Sequence, residues 1–184
     1  MRLDPNRTWK LVEERYHAES DPQRKRNLEL VLQHMKAEAR ADIEGVVATL
    51  TDKPRYRTYG NESEVLNPEG SKDAVRAFYD ATIVQTGAHR LEFDCDRVIV
   101  DESSVFTEGV MRMAYPGQTL RAMGIEVEDP EAYYLSESRM GVVWPYDAGE
   151  DRLTGEEVYS GGDNFAGIAG RKISLDEVAP LEPA

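Results

Sequence analysis

Residues 89–115, HRLEFDCDRVIVDESSVFTEGVMRMAY, decide the fold. In the first half Leu91, Phe93 and Cys95 alternate with Glu92, Asp94 and Asp96, the period of a half-buried strand. Asp101 to Ser104 reads as a polar turn. The stretch VFTEGVMRMAY then reads as a second strand, rich in β-branched and apolar residues. Val105, Thr107, Gly109, Met111 and Met113 share one of its faces, and Phe106, Glu108, Val110 and Arg112 the other. Two long antiparallel strands joined by a short turn make the spine of a sheet. The functional question is what their apolar inner face encloses.

Working outward, a chain of 184 residues has the length of one domain with a decorated end, enough to bury a core. With 40% hydrophobic and 31% charged residues, its composition is that of a soluble globular protein. No apolar run is long enough to span a bilayer, so no membrane partner is expected. The start, MRLDPNRTWKLVEERYH, lacks the apolar core of a secretory signal. The single cysteine, Cys95, rules out an internal disulfide and fits a cytoplasmic setting. It lies on the apolar strand face, which favours a buried, inert thiol over a nucleophile. A net charge of −13, spread along the chain with no basic stripe to offset it, argues against nucleic acid as a partner.

In order, the pattern predicts a helix from Asn6 or Thr8 to His17 with Trp9, Val12 and Tyr16 on one stripe, and a second from Gln23 to Arg40 behind a Ser20-Asp21-Pro22 start. Asp42 caps a short helix, IEGVVATL, and Thr51 to Pro54 leads out of it. Arg55 to Tyr59 is a short strand, Gly60 to Gly70 a loop, and Ser71 caps a helix over KDAVRAFYDATIVQ. After the hairpin and a long connection from Pro116 to Pro130, strands are expected over Met140–Tyr146 and Leu153–Ser160. Residues beyond Asp163 read as a tail, disordered at its Pro-rich end. Helices first, then a run of antiparallel strands, is an α+β order. The expected divisions are an N-terminal helical extension (1–22), a core domain (23–165) and a C-terminal tail (166–184).

Particular residues in this order carry a resemblance. These are Ile43-Glu44-Gly45-Val46-Val47 after Ala41-Asp42, the strand Pro54 to Tyr59, the helix opening Gly70-Ser71-Lys72-Asp73-Ala74-Val75 with Phe78-Tyr79, and Asp151-Arg152-Leu153-Thr154-Gly155. From Asn27 to Phe165 the chain resembles the SnoaL-like branch of the nuclear transport factor 2-like superfamily. The resemblance implies a cone-shaped α+β barrel, a strongly bent antiparallel/mixed sheet wrapped around three helices, here with an extra N-terminal helix. It also implies an apolar pocket inside the cone and a homodimer through the outer sheet face. Phe106, Val110 and Tyr133-Tyr134 would supply the dimer surface. The fold does not select a chemistry.

Two enzyme branches of that superfamily differ from this chain at their catalytic positions. Members similar to limonene epoxide hydrolase carry an arginine and two aspartates where this chain has Gly109, Met111 and Val158; their water-holding tyrosine is matched by Tyr56, the neighbouring asparagine by Thr58. Ketosteroid isomerase uses a tyrosine, a base aspartate and a protonated aspartic acid. The matching positions here are His34, Thr58 and about Val142. A catalytic member with this sequence needs another constellation.

The faces that the resemblance turns inward supply candidates. His34 and Glu38, at i and i+4, would form an imidazole and its orienting carboxylate, and Tyr56 would donate to a developing oxyanion. Met35, Thr58, Phe93, Met111, Trp144, Glu156, Val158 and Phe165 would line the substrate. The plainer alternatives are a partly exposed helix contact for His34 and Glu38, and a packing role for Tyr56. Glu108 and Arg112 read as a cross-strand or interface pair, Asp94 and Asp96 as a solvated or interfacial face, and His89 as a surface or cavity-mouth residue. No histidine or third carboxylate sits at ligand spacing beside Asp94 and Asp96, so no metal is expected, and no motif calls for a cofactor. Two functions follow: a cofactor-free isomerase, lyase, cyclase or hydrolase acting on a small apolar molecule, or a non-catalytic ligand-binding or dimeric scaffold module.

Overall fold

The computed structural model describes residues 2–60, 63–68, 70–88 and 90–183; His89, with the role expected for it, lies outside them. The helices form where capping and apolar stripes coincide. Helix α1 (Arg7–Ala18) buries Trp9 and Val12. Helix α2 (Pro22–Ala39) starts where the Asp21 carboxylate accepts the backbone N–H groups of Gln23 and Arg24, both at 3.0 Å. Asp42 caps α3 (Ile43–Ala48) through Gly45 N–H, and Ser71 caps α4 (Lys72–Tyr79) through Ala74 N–H. Beyond Tyr79 the chain widens into a π-helical turn, Asp80–Val84, which places Ile83 back in the core.

Among the described residues six strands make one mixed, open sheet. The strands are β1 (Leu50–Tyr59), β2 (Leu91–Val100), β3 (Ser104–Pro116), β4 (Tyr133–Asp147), β5 (Arg152–Gly161) and the short β6 (Lys172–Ile173). The order is β1-β5-β4-β3-β2, with β6 added against β4. Only β1 with β5 runs parallel; the other named pairs are antiparallel. The inner face closes over α2, α3 and α4 around a core that includes Leu28, Val31, Met35, Val75, Leu91, Phe93, Val105, Val142 and Leu153. This is the α+β cone that the resemblance implies.

Two strands are longer than their side chains suggest. Ser136-Glu137-Ser138-Arg139 has weak strand propensity, yet it continues β4 because residues 110–116 of β3 offer it a full ladder, from Val110↔Arg139 to Pro116↔Tyr133. Strand β1 begins at Leu50, paired with Leu153, and passes through an irregularity before Arg55 meets Gly155. Gly155 has φ +135°, and a Cβ there would fall 1.8 Å from the Arg55 carbonyl oxygen. The free edge of β1 is covered by the loop, through Tyr56 N–H to Pro68 O (3.1 Å) and Thr58 N–H to the Asn67 side chain (2.7 Å).

The outer face differs from the reading at several points. Glu92, which alternation groups with Asp94 and Asp96 on the face away from the pocket, is fully buried: it accepts the Asp4 backbone N–H and pairs with Arg112 at 2.6 Å. The segment before α1 covers that face, and alternation within β2 carries no information about it. The connection after β3 contains helix α5 (Gly117–Ala122), whose Leu120 anchors a separate cluster with Val127, Tyr134 and Ile168. Tyr134 is buried there and its hydroxyl donates to Asp129 O; Tyr133 packs beneath the Arg90 guanidinium. Tyr134, buried within the chain, has no surface to offer a dimer, whereas Tyr133 stays half-buried. The tail is ordered by contacts with distant segments. Leu3 bridges Val178, the Asn6 amide holds Pro180 O and Glu182 N–H, and Arg40 donates to Glu182 O.

Candidate active site

His34, Tyr79 and Glu156 meet at one point inside the cone, brought there by α2, the last residue of α4, and β5. Glu156 Oε1 lies 3.0 Å from His34 Nε2 and accepts the Tyr79 hydroxyl at 2.8 Å. Tyr79 OH is also 3.1 Å from Nε2, so the three groups close a triangle. Tyr56, paired in register with Glu156 across β1 and β5, brings its hydroxyl to 3.4 Å from Tyr79 OH. On the other side of the imidazole, Nδ1 contacts Thr49 Oγ1 at 2.8 Å. The Trp144 ring meets the imidazole at 5.2 Å, edge to face, and is itself held by Nε1–H donating to Thr107 Oγ1. His34 has no exposed surface, and Tyr56, Tyr79, Trp144 and Glu156 are buried around it.

Burial governs the electrostatics. It pushes the Tyr56 and Tyr79 phenols well above their ordinary range, and the Glu156 charge adds to the effect. The half-buried Glu38 is pushed up to about 8, first by desolvation and then by the Glu156 charge. At neutral pH Glu38 is thus largely a neutral acid. It lines a cleft too narrow for a water molecule, with Ala41, Asp42, Ile43, Val46, Tyr79 and Ile83.

The expected site residues separate into groups. His34, Tyr56 and Glu156 converge. Glu38 stays near, but both nitrogens of His34 are occupied by other groups, so Thr49 and Glu156 take the orienting role assigned to Glu38. Helical spacing puts Glu38 on the right stripe; the imidazole turns away from it. Met35, Phe93 and Trp144 are core residues, with Met111 and Val158 packed against the same core. Thr58 is committed to the loop, its hydroxyl donating to Leu66 O. Phe165 lies outside the cone, in the α5 cluster with its ring 5.3 Å from that of Tyr115, because β5 ends before it. Tyr79 and Thr49, which complete this network, were not among the expected site residues. Tyr79 carried a signal, the polar tip of an inward-facing helix position; Thr49, the last residue before β1, carried none.

Gly109, one of the divergent positions, sits where a Cβ would fall 2.3 Å from the Asp94 carbonyl oxygen, so an arginine or aspartate has no room there. Cys95, beside it, is half-buried, and burial with the Asp94 and Asp96 charges pushes its thiol up to about 12. No metal-binding group of His, Cys, Asp or Glu occurs among the described residues. None of the described helices is long and apolar enough to cross a membrane.

Comparison with known proteins agrees with the geometry. Solved structures with the same fold include a candidate SnoaL-like polyketide cyclase from Shewanella denitrificans OS-217. It has a TM-score of 0.63 and 14% identity, over 78% of this chain and 96% of that one. An LEH-like epoxide hydrolase of Mycobacterium tuberculosis matches with TM-score 0.57 and 17% identity, over 82% and 94%. Another M. tuberculosis protein, solved in complex with estradiol-17beta-hemisuccinate, matches with TM-score 0.58 and 18% identity, over 76% and 96%. At these identities the likeness is one of fold. No curated protein matches the chain. The model of the SnoaL-like domain matches residues 31–128. With more than half of its length so matched and its helices and sheet in the same cone, the chain belongs to the SnoaL-like domain family.

Proposed function

We propose that the protein is a cofactor-free acid–base enzyme, an isomerase, lyase, cyclase or hydrolase, acting on a small, largely apolar molecule. One observation carries the reading: an imidazole nitrogen and a phenol hydroxyl both meet Glu156 Oε1, at 3.0 and 2.8 Å, in an otherwise apolar interior. Buried polar networks of this kind cost stability unless every member is satisfied, and sites that move protons are where that cost is tolerated. In this proposal His34 and Glu156 exchange a proton with the substrate, and Tyr79 and Tyr56 donate to an oxygen that gains charge. Glu38, as a neutral acid in the cleft, returns the proton from solvent. Substrate enters between α3 and the π-turn, which must part by more than a water diameter.

The same tight packing favours a second reading, a binding or scaffold module whose interior holds no reactant. A panel of small ketones, epoxides and enolisable compounds, screened by thermal shift and then by mass spectrometry for conversion, separates the two. Under the enzymatic reading a stabilising compound is converted, and Glu156→Gln or Tyr79→Phe lowers turnover about 100-fold or more. A compound bound but never converted supports the second reading. No binding by any compound overturns both small-molecule readings. We also propose a homodimer through the outer sheet face, supported by exposed Ile99 (57%) and the stacked Tyr59–Tyr159 pair (46% each). The lone, unpaired Cys95 supports a cytoplasmic setting.

A further inference from the structure

We propose that Thr49 is a positioning residue that sets the proton inventory of the His34–Glu156 pair. This inference rests on the acid–base reading of that pair. Thr49 caps the C-terminus of α3 and is buried. Its hydroxyl donates to the Val46 carbonyl at 2.7 Å, three residues back. A hydroxyl has one proton, and a carbonyl can only accept, so that proton is committed. Oγ1 therefore faces His34 Nδ1, 2.8 Å away, with a lone pair, and Nδ1 must carry hydrogen.

A neutral imidazole has one N–H. With it placed on Nδ1, Nε2 would present a lone pair to Glu156 Oε1 at 3.0 Å, and the two would repel in a medium that screens charge poorly. A proton between them removes the conflict. Either Nε2–H of an imidazolium donates to the carboxylate, or a Glu156 carboxylic acid donates to Nε2. Both descriptions contain the same number of protons. The Tyr79 hydroxyl donates to the same carboxyl oxygen and compensates it in either form.

Thr49 thus loads the pair with one proton that can leave. Delivering it to a substrate atom leaves an Nδ1–H imidazole and a Glu156 carboxylate; taking one from the substrate restores the starting state, and no other atom is gained or lost. Without the Thr49 acceptor, the single imidazole proton moves to Nε2, donates straight to the carboxylate, and the pair has no surplus to give.

Long-range ¹H–¹⁵N correlation spectra of protein labelled at histidine test this without any substrate. The chain has 3 histidines, and His34→Gln identifies the signal concerned. In the wild type we expect the protonated signature at His34 Nδ1. Thr49→Val should remove the protonated signature from Nδ1 and leave one at Nε2, and Thr49→Ser should restore it at Nδ1. A bare Nδ1 in the wild type overturns the inference, as does a Thr49→Val spectrum identical to wild type. Should the valine variant not fold, the wild-type spectrum decides alone. Protonated Nδ1 with no turnover on any compound keeps this inference and removes the catalytic function; turnover with a bare Nδ1 does the reverse.

Discussion

Raising the pH should unload the cleft carboxyl and weaken the fold, and Glu38→Gln should abolish that loss. In the folded protein Glu38 titrates at about 8, against 4.5 for an ordinary glutamate. Between those values the native chain holds a proton that the unfolded chain has released. Stability therefore is fully present below the unfolded value and declines as pH climbs through the folded one. At about 1.4 kcal/mol per pH unit of difference, the ceiling is about 5 kcal/mol. The residue keeps some contact with solvent, which brings the expected loss to about 2–4 kcal/mol. The groups that set it are Glu156, whose charge faces Glu38, and the apolar wall of Ala41, Ile43, Val46 and Ile83. Urea unfolding at about pH 5, 7 and 9, with wild type and Glu38→Gln side by side, measures it. Glutamine cannot ionise, so the variant should gain on wild type as pH rises, with unchanged m-values. Parallel stability curves across that range would refute the reasoning.

Other outcomes follow from the same contacts. Glu92→Ala removes a buried carboxylate that holds both the Asp4 backbone and Arg112; it should cost about 3–5 kcal/mol in urea unfolding and expose the residues before α1 to protease. Cys95, with its thiol pushed up to about 12, should resist alkylation near pH 8 in the native state and react once denaturant is added. Gly155→Ala should separate β1 from β5, seen as loss of hydrogen-exchange protection in both strands, because the added methyl falls on the Arg55 carbonyl.

The strands and helices of the cone were legible because their signals are local, while their arrangement came from the family resemblance. The two-residue alternation of the hairpin, the caps at Asp21, Asp42 and Ser71, and the stripe on α2 each follow from neighbours in the chain. What was illegible depends on segments far apart. Glu92 is buried because residues before α1 fold over it, and the tail is ordered because Leu3 and Asn6 hold it. At the site, helical spacing put His34 and Glu38 one turn apart, but spacing does not say which way an imidazole turns. Its partners come from Thr49, Tyr79 and Glu156, 15, 45 and 122 positions away in the chain. Tyr79 was visible as an inward-facing helix position with a polar tip, but nothing in α4 tells a packed ring from a hydroxyl held in a buried network.

The joining of the two chain ends has a mechanical consequence. Leu3 lies between Val178 and the sheet residues Ala114, Leu135 and Ile173, so each end serves as the other's clasp. Pulling on either should release both at once, as a buckle opens. Trimming the last dozen residues would then loosen the segment before α1 that covers Glu92, although the hydrogen-bond partners of that carboxylate, Asp4 and Arg112, both remain.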